Sequence, residues 1–171
     1  AIRCQDVGSA LFWQRRVGRG GVEFAFPKFR SMRLDAEAVQ LALAATNQHG
    51  PAGVTFKMKR DPRITPVGRL IRRASIDELP QLWCVLRGTM SLVGPRPPLV
   101  GEVARYTLDE RQRLAVTPGL TCIWQVSGRS EVPFPEQVQM DLAYIRQPSL
   151  RADVGLLLKT LPAVVRGRGA Y

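Results

Sequence analysis

The sequence predicts an α+β fold, in which one mostly helical domain carries a small β-hairpin. A chain of 171 residues is long enough to bury a core and short enough to form a single domain. Apolar residues recur at helical spacing in several segments. Near the N-terminus, Val22, Phe24 and Phe26 alternate with other residues, which is the period of a strand. Together these three observations favour helices packed around a small sheet.

The strands and helices can be placed in chain order. Residues 11–16 and 22–30 flank an Arg-Gly-Gly turn and predict the hairpin, in which Pro27 indicates an edge strand. Residues 94–98 predict a stiff loop, and residues 117–119 predict a turn followed by an extended stretch over 120–126. Helices are predicted over 35–47 (before Gly50-Pro51), from Thr65-Pro66, from Ser75 to Gly88, and over 100–106, 108–114, 135–147 and 150–166.

The composition limits the classes of function. The formal net charge of +11 indicates an anionic partner, which could be nucleic acid, a phosphorylated ligand or an acidic membrane surface. Three widely spaced cysteines without a C-x-x-C motif predict reduced thiols in a cytosolic setting. A single histidine nearly excludes zinc sites and His-based triads, and no segment is long enough to span a bilayer.

The most informative segment is R-R-A-S-I-D-E-L-P-Q at residues 72–81, followed by S-L-V-G-P-R-P at 91–97. Arginines on both sides of Asp77 and Glu78 would neutralise an incoming phosphate that a carboxylate attacks. Ser75 and Glu78 also fit a capping box, in which Ser75 caps a helix and Glu78 reaches back to it. In either interpretation, Asp77 would lie in a first helical turn, where the helix dipole favours its ionised form.

These two motifs resemble the catalytic core of the bacterial sugar transferases, the monotopic polyprenyl-phosphate phosphoglycosyl transferases. The resemblance extends over nearly the whole chain, so residues 1–171 are interpreted as one catalytic domain. Five further motifs follow the family's order: Q-R-R-V-G at 14–18, K-F-R-S-M at 28–32, D-P-R-I-T at 61–65, W-Q-V-S-G-R at 124–129 and G-R-G-A-Y at 167–171.

The resemblance implies a two-step reaction. Asp77 would attack the β-phosphate of a UDP-sugar and release UMP, and undecaprenyl phosphate would then take the phosphosugar from the carboxylate. Glu78 matches the second carboxylate of the family's dyad, which would either hold the metal, position the acceptor or act as an acid or base. Asp77 and Glu78 are the predicted ligands of Mg²⁺, with Mn²⁺ as an alternative. The residues that match substrate-binding positions, or fit a family-like spacing, are Lys28, Arg30, Arg72, Arg96, Arg129 and Asp153. For Asp153, a charge at a helix N-terminus is an equally good interpretation.

The resemblance also implies a place in the cell. Family members act at the cytoplasmic face of the bacterial inner membrane, and they carry a hydrophobic re-entrant helix before the segment that matches residues 1–13. The present chain lacks that helix, so we expect an excised soluble fragment. Leu150–Arg166 is amphipathic and basic, which fits either a core helix or a helix on an anionic membrane surface. Trp13, Trp83 and Trp124 fit either interface anchors or core residues.

Some alternatives stay open from the sequence. A nucleic-acid-binding module is suggested by charge alone, and the chain lacks a helix-turn-helix pattern, aromatic–basic repeats and zinc ligands. A non-catalytic membrane-surface module is suggested by the C-terminal helix. The segments at 121–129 and 167–171 look like those of exopolysaccharide- or O-antigen-initiating members, which favours glucose or galactose as the donor sugar. The oligomeric state is open, with a homo-oligomer as one alternative.

Overall fold

Helices surround two small β-sheets in the computed structural model, which describes residues 1–43, 53–56, 58, 60–167 and 169. The predicted class is confirmed: the chain forms a single, mostly helical α+β domain. The α-helices in chain order are α1 (Ile2–Gln5), α2 (Ala36–Ala42), α3 (Pro66–Arg73), α4 (Leu82–Leu86), α5 (Val100–Val103), α6 (Leu108–Arg111), α7 (Ile123–Ser127), α8 (Phe134–Arg146) and α9 (Leu150–Arg166). Short 3-10 helices cover Arg19–Gly21, Ile76–Gln81, Gln112–Ala115 and Arg129–Glu131.

The first sheet is the predicted hairpin. Strand β1 (Leu11–Val17) pairs antiparallel with β2 (Glu23–Phe29), and Pro27 lies opposite Trp13. The fully buried Phe26 packs with residues that follow the site motif, and β2 contacts the 3-10 helix Ile76–Gln81. The hairpin therefore forms the support for the Asp77 segment.

The second sheet was predicted only in part. Strand β3 (Ser91–Val93) lies parallel to β4 (Gly119–Thr121), in the region where a turn and an extended stretch were expected. Gly119 allows its backbone to pack closely against that of Gly94, because a Cβ atom on Gly119 would lie 2.1 Å from the Gly94 nitrogen. This close contact fixes the start of the loop that carries Arg96.

Several predicted helix boundaries need correction. Of the helix predicted over 35–47, α2 is the described part, and residues 44–52 lie outside the described residues. The segments predicted over 100–106 and 108–114 form shorter helices, the second of which continues as a 3-10 turn. The extended interpretation of 120–126 is wrong beyond Cys122, because α7 begins at Ile123. There, packing against α8 and α9 overrides the strand propensity of β-branched residues.

The helix predicted from Ser75 also differs. Ser75 has a φ of +53° and makes no side-chain cap bond, and the chain continues as a 3-10 helix before α4 begins. The capping-box interpretation of Ser75 and Glu78 is therefore wrong. By contrast, the start at Thr65-Pro66 is confirmed, because the Thr65 hydroxyl accepts a hydrogen bond from the Gly68 N–H at 2.9 Å.

A buried ion pair joins the C-terminal helices to the rest of the domain. Arg113 donates from Nε to Asp141 at 2.8 Å and from Nη1 to the Tyr106 hydroxyl at 2.8 Å. Phe134 and Leu142 pack beside Tyr106 in an apolar cluster. Helix α8 is thereby fixed against the 3-10 turn Gln112–Ala115. Within the described part of the chain, no helix is long and apolar enough to cross a membrane.

Candidate active site

A cavity of about 1090 Å³ opens between the hairpin, the Asp77 segment, the Arg96 loop, α7 and α9. The structure brings most of the predicted site residues to its wall, although they come from widely separated parts of the chain. These residues are Lys28, Arg30, Arg72, Asp77, Glu78, Arg96 and Arg129. Asp153 does not line the cavity. Two carboxylates thus face an excess of cationic side chains.

Asp77 is only 7% exposed. The pKa of Asp77 is raised to about 6, because burial and the adjacent Glu78 carboxylate raise it more than the cationic side chains Arg72, Lys28 and Arg96 lower it. The helix dipole was expected to favour ionisation, yet the pKa moves the other way because desolvation is the larger effect. At pH 7 a carboxyl group with this pKa is still about nine-tenths ionised, so Asp77 is available as a nucleophile.

Glu78 is held by Arg96. The Nη2 atom of Arg96 donates to Oε1 of Glu78 at 2.5 Å, and both side chains are about three-quarters buried. Burial raises the pKa of Glu78, but the charge and the hydrogen bond of Arg96 outweigh it, so that the pKa is lowered. The two neighbouring carboxylates consequently differ in pKa: that of Glu78 is lowered, and that of Asp77 is raised toward neutrality.

Two further arginines lie near Asp77 and Glu78, one at the end of α3 and one in the 3-10 helix Arg129–Glu131. Arg72, at the end of α3, donates from Nε to the Ser31 hydroxyl at 2.9 Å. Arg129 donates from Nη2 to the Ser75 hydroxyl at 3.3 Å. Ser75 and Arg129 both have φ values of +53°, and they are the non-glycine residues with positive φ in the described part of the chain. Such backbone strain is concentrated at functional sites.

Lys28 lies on the hairpin wall of the cavity. Its Nζ atom is 5.2 Å from the centre of the Phe12 ring. The pKa of Lys28 is lowered to about 7, by burial first and then by the positive charges of Arg16, Arg72 and Arg96. A negatively charged group next to this amine would favour its protonated form.

Arg16 is a site residue that the sequence argument missed. Its Nε and Nη2 atoms donate to Oε1 of Gln14, and its Nη1 donates to the Pro97 carbonyl at 2.9 Å. Burial and the nearby Arg96 lower its pKa to about 10. Arg16 therefore fixes the loop next to Arg96. The Q-x-R spacing on one strand was the available signal, since residues two apart share a face.

Two predicted residues have partners of their own. Arg30 is buried and donates to the carbonyls of Ser9 and Asp6 at 2.8 and 2.7 Å, with an ion pair to the Asp6 carboxylate at 3.1 Å. Asp153 lies in the first turn of α9 and accepts a hydrogen bond from the Tyr144 hydroxyl at 2.9 Å. The structure thus favours the helix-terminus interpretation of Asp153 and gives Arg30 a role in anchoring the N-terminal segment.

The donor set for a metal ion is small. Among the described residues, no three His, Cys, Asp or Glu side chains are grouped to hold a metal by themselves. Mg²⁺ in proteins is usually bound through one or two carboxylates, with substrate phosphates and water as the other ligands. Asp77 and Glu78 are two carboxylates beside an arginine-lined cavity, and their mutual repulsion raises the pKa of Asp77. They fit a site that is completed only when a phosphorylated substrate binds.

The fold places a buried carboxylate in a cavity lined by cationic side chains, an arrangement that suits an anionic ligand. The chain belongs to the bacterial sugar transferase family, which matches residues 1–167. It is 48% identical to the galactosyl transferase CpsE of Streptococcus agalactiae over 97% of this chain and 37% of that protein. It is 46% identical to the undecaprenyl-phosphate galactose phosphotransferase of Salmonella typhimurium, over 98% and 36% respectively.

A third relative carries a different sugar in its name. The UDP-glucose:undecaprenyl-phosphate glucose-1-phosphate transferase of Xanthomonas campestris is 38% identical over 99% of this chain and 34% of that protein. The chain therefore spans about a third of the length of these three relatives. Their names support a transferase over a nucleic-acid-binding module or a non-catalytic membrane-surface module.

Proposed function

We propose that this domain transfers a sugar 1-phosphate from a UDP-sugar to undecaprenyl phosphate, as the first membrane step of exopolysaccharide or O-antigen synthesis. The donor sugar is a hexose, glucose or galactose, in keeping with the names of the relatives. The observation that carries the proposal is the buried Asp77 carboxylate in a cavity whose walls supply Arg72, Arg96, Arg129 and Lys28.

The first step forms a covalent intermediate on Asp77. A carboxylate oxygen attacks the β-phosphorus, and the bond from that phosphorus to the bridging oxygen breaks. UMP leaves with the electron pair, and the sugar phosphate remains as an acyl phosphate. In the second step an oxygen of undecaprenyl phosphate attacks the same phosphorus, the acyl phosphate bond breaks, and the Asp77 carboxylate is regenerated. UMP and the lipid-linked sugar are the products.

The surrounding cations make this attack feasible. A carboxylate and a diphosphate repel each other, so the rate depends on charges already in place when the substrate arrives. Arg96 is aligned by Glu78, and Arg129 by Ser75. Planar guanidinium groups bind phosphate oxygens in pairs, which orients the β-phosphate toward Asp77. Arg30 and Asp153 already bind protein groups, and we assign no substrate contact to them.

Asp77 and Glu78 would hold Mg²⁺, or Mn²⁺ in its place. When bound, the ion neutralises charge on the diphosphate. Glu78 keeps its negative charge at any physiological pH because Arg96 lowers its pKa, so it offers a carboxylate to a cation throughout.

The reaction is placed at the cytoplasmic face of the bacterial inner membrane, where the acceptor lipid lies. Helix α9 directs several apolar residues outward while its other side lines the cavity. The exposed residues are Leu150, Val154, Leu158, Leu161 and Val165, and the cavity-lining ones are Leu157, Thr160, Ala163 and Val164. A helix with this distribution can contact an anionic membrane surface and the active site at once.

The test is UMP release by the full-length protein with undecaprenyl phosphate and a panel of UDP-sugars. The Asp77→Asn variant should release no UMP, while Asp35→Asn, which changes an exposed carboxylate, should match the wild type. Mass analysis of a trapped intermediate should find the phosphosugar on Asp77. A label on another residue, or full activity of Asp77→Asn, would contradict the proposal.

A further inference from the structure

We propose that the turn after α9, carrying Gly167 and Gly169, is a positioning element for Arg129. The turn holds the Arg129 backbone in its left-handed conformation, so that the guanidinium reaches Ser75 beside Asp77. Its catalytic consequence rests on the function proposed above. Neither glycine would contact the reacting atoms.

Arg129 needs such support. Its φ of +53° is unfavourable for a residue with a Cβ atom, and a strained residue keeps such a conformation only where its surroundings enforce it. Within the 3-10 turn, Gly128 has a φ of −171° and a ψ of −5°. The Glu131 N–H donates to the Gly128 carbonyl at 3.1 Å, and the Val132 N–H donates to the Arg129 carbonyl at 3.3 Å. The Arg129–Ser75 hydrogen bond, at 3.3 Å, joins two strained residues and cannot by itself stabilise both.

Gly169 supplies a contact from outside this 3-10 turn. The Ser130 N–H donates to the Gly169 carbonyl at 3.4 Å, so the two backbones are joined directly after Arg129. A Cβ atom on Gly169 would lie 2.5 Å from the Gly128 carbonyl oxygen and 3.1 Å from Cβ of Arg129. Gly169 also has a φ of +67°. Any side chain here would push against the peptide group that precedes Arg129.

Gly167 sets the direction of the turn. It ends α9 with a φ of +61°, and its N–H donates to the Ala163 carbonyl. A Cβ atom there would lie 2.6 Å from Cγ of Arg73, the neighbour of Arg72. Helix α9 is tied in turn to the second sheet, since the Thr121 and Thr160 hydroxyls are 2.8 Å apart. The glycines after α9 therefore lie between the segment of Arg72 and Arg73 and the segment of Arg129.

The decisive variant is Gly169→Ala, with Gly20→Ala as the matched control. Gly20 has a φ of +68°, almost the same as that of Gly169, but a Cβ atom there would meet nothing within 4 Å among the described residues. Both changes add the same backbone strain, and only Gly169→Ala displaces Arg129. Misplacement of a substrate-orienting group on the scale of 1 Å can cost about a hundredfold in rate. We expect kcat for UMP release to fall by about tenfold or more in Gly169→Ala and to stay at the wild-type value in Gly20→Ala.

A double variant separates positioning from general damage. If Gly169 acts through Arg129, adding Gly169→Ala to Arg129→Lys should change kcat by less than about twofold, because the group it positions is already altered. Multiplicative losses in the double variant, or a Gly169→Ala enzyme as active as Gly20→Ala, would overturn the inference.

Structures of the two glycine variants give a readout that does not depend on activity. In Gly169→Ala the hydrogen bond from Arg129 to Ser75 should be lost, and in Gly20→Ala it should remain. Retention of that bond in Gly169→Ala would also overturn the inference. Absence of UMP release from the wild-type protein would instead contradict the proposed function, and the structures would still decide the role of the turn.

Discussion

At the scale of single residues, Asp77 is buried although its proposed reaction requires a charge. Its pKa of about 6 lies above the ordinary value of 3.8. Below about pH 4 the carboxyl is protonated in both the folded and the unfolded state, and burial has no electrostatic cost. Above about pH 6 it is ionised in both, and the full cost of a buried carboxylate acts against the fold. The nucleophile is therefore obtained at the expense of stability.

The first prediction follows from the upward direction of this pKa shift. Asp77→Asn should raise the free energy of unfolding at pH 8 by on the order of 3 kcal/mol, since the pKa rises from 3.8 to about 6 and one pKa unit corresponds to about 1.4 kcal/mol. The gain should shrink as the pH falls from 6 to 4. Denaturant titrations of the wild type and the variant at pH 8 and at pH 4 would measure this gain in stability. Asp35→Asn is the control and should show no such gain. Equal or lower stability of Asp77→Asn at pH 8 would refute this account.

The second prediction concerns pH and the rate of UMP release. Because only the ionised Asp77 can attack, kcat/KM at low Mg²⁺ should rise about tenfold per pH unit below 6. It should fall again above pH 7, where Lys28 loses its charge. The measurement is UMP release from pH 5 to 8 at several Mg²⁺ concentrations, since an ion held by Asp77 lowers the pKa of that carboxyl. A flat profile down to pH 5 at the lowest Mg²⁺ concentration would mean that Asp77 keeps an ordinary carboxyl pKa.

The third prediction concerns the metal. Two adjacent carboxylates and a diphosphate concentrate negative charge, so EDTA should abolish UMP release and added Mg²⁺ or Mn²⁺ should restore it. Glu78→Gln should weaken the apparent affinity for Mg²⁺, since it removes one of the two ligands. Undiminished turnover in EDTA would show that the arginines alone neutralise the substrate.

The fourth prediction distinguishes arginine from lysine. Arg96→Lys and Arg129→Lys should each lower kcat/KM by roughly ten- to hundredfold, equivalent to about 1.5–3 kcal/mol, because an ammonium cannot form the paired hydrogen bonds of a guanidinium. Arg69→Lys, on the exposed side of α3, should have wild-type kinetics. Wild-type kinetics in the first two variants would show that Arg96 and Arg129 do not bind the substrate phosphate in this way.

Most of the residues predicted for the site line one cavity, because short motifs of defined chemical type indicated them, and their roles stay predictions. Arg16 was missed because its partner, the Pro97 carbonyl, lies 81 positions away along the chain. Asp153 was placed by spacing alone, and spacing could not show that the Tyr144 hydroxyl would bind it. The positive φ of Arg129 could not be predicted either, since the contact we propose to enforce it comes from Gly169, which is distant along the chain.

At the scale of elements, local signals predicted the hairpin, α3, α8 and α9, where alternation, a proline start or a long amphipathic pattern is strong. They failed for the 3-10 helix Ile76–Gln81 and for α7, which are short and depend on tertiary contacts. Helix α7 contacts both α8 and α9, and these contacts exist only once the domain is assembled. The strand β3 was missed for the same reason, because a three-residue parallel pair leaves little periodicity.

The fifth prediction tests how α8 is held. Arg113 and Asp141 are 4% and 1% exposed, so replacing either one leaves a buried charge without its partner. Arg113→Met and Asp141→Leu should each destabilise the domain by about 3–5 kcal/mol, and the double variant should be more stable than either single one. The exposed pair Arg15–Glu23 should contribute no more than about 1 kcal/mol. Additive losses in the double variant would contradict this.

At the scale of the whole molecule, the proposed function offers two anionic partners for a net charge of +11. The cationic cavity would bind the UDP-sugar, and basic residues on the surface would face an anionic membrane. Several exposed apolar residues lie on three neighbouring elements, which we call the apolar side. Strand β3 carries the exposed Leu92 and is contacted by both α4 and α9, whose exposed residues include Leu82, Trp83, Leu86, Leu158 and Leu161. Trp13 is also exposed, whereas Trp124 is buried and belongs to the core.

This apolar side should be where the domain meets the lipid. Leu86, 80% exposed on α4, would enter the interface, and Leu108, 86% exposed on α6, lies outside the three elements that form this side. Burying a leucine side chain is worth about 1.5–3 kcal/mol. We therefore expect Leu86→Asp to weaken binding of the domain to vesicles with anionic lipid by at least about tenfold, and Leu108→Asp to leave binding unchanged. Since basic residues contribute about 1 kcal/mol each near such a surface, raising the salt should release the domain. If the two leucine changes had equal effects, the membrane would contact a different side of the domain. The same would follow if vesicle binding did not depend on salt or on lipid charge.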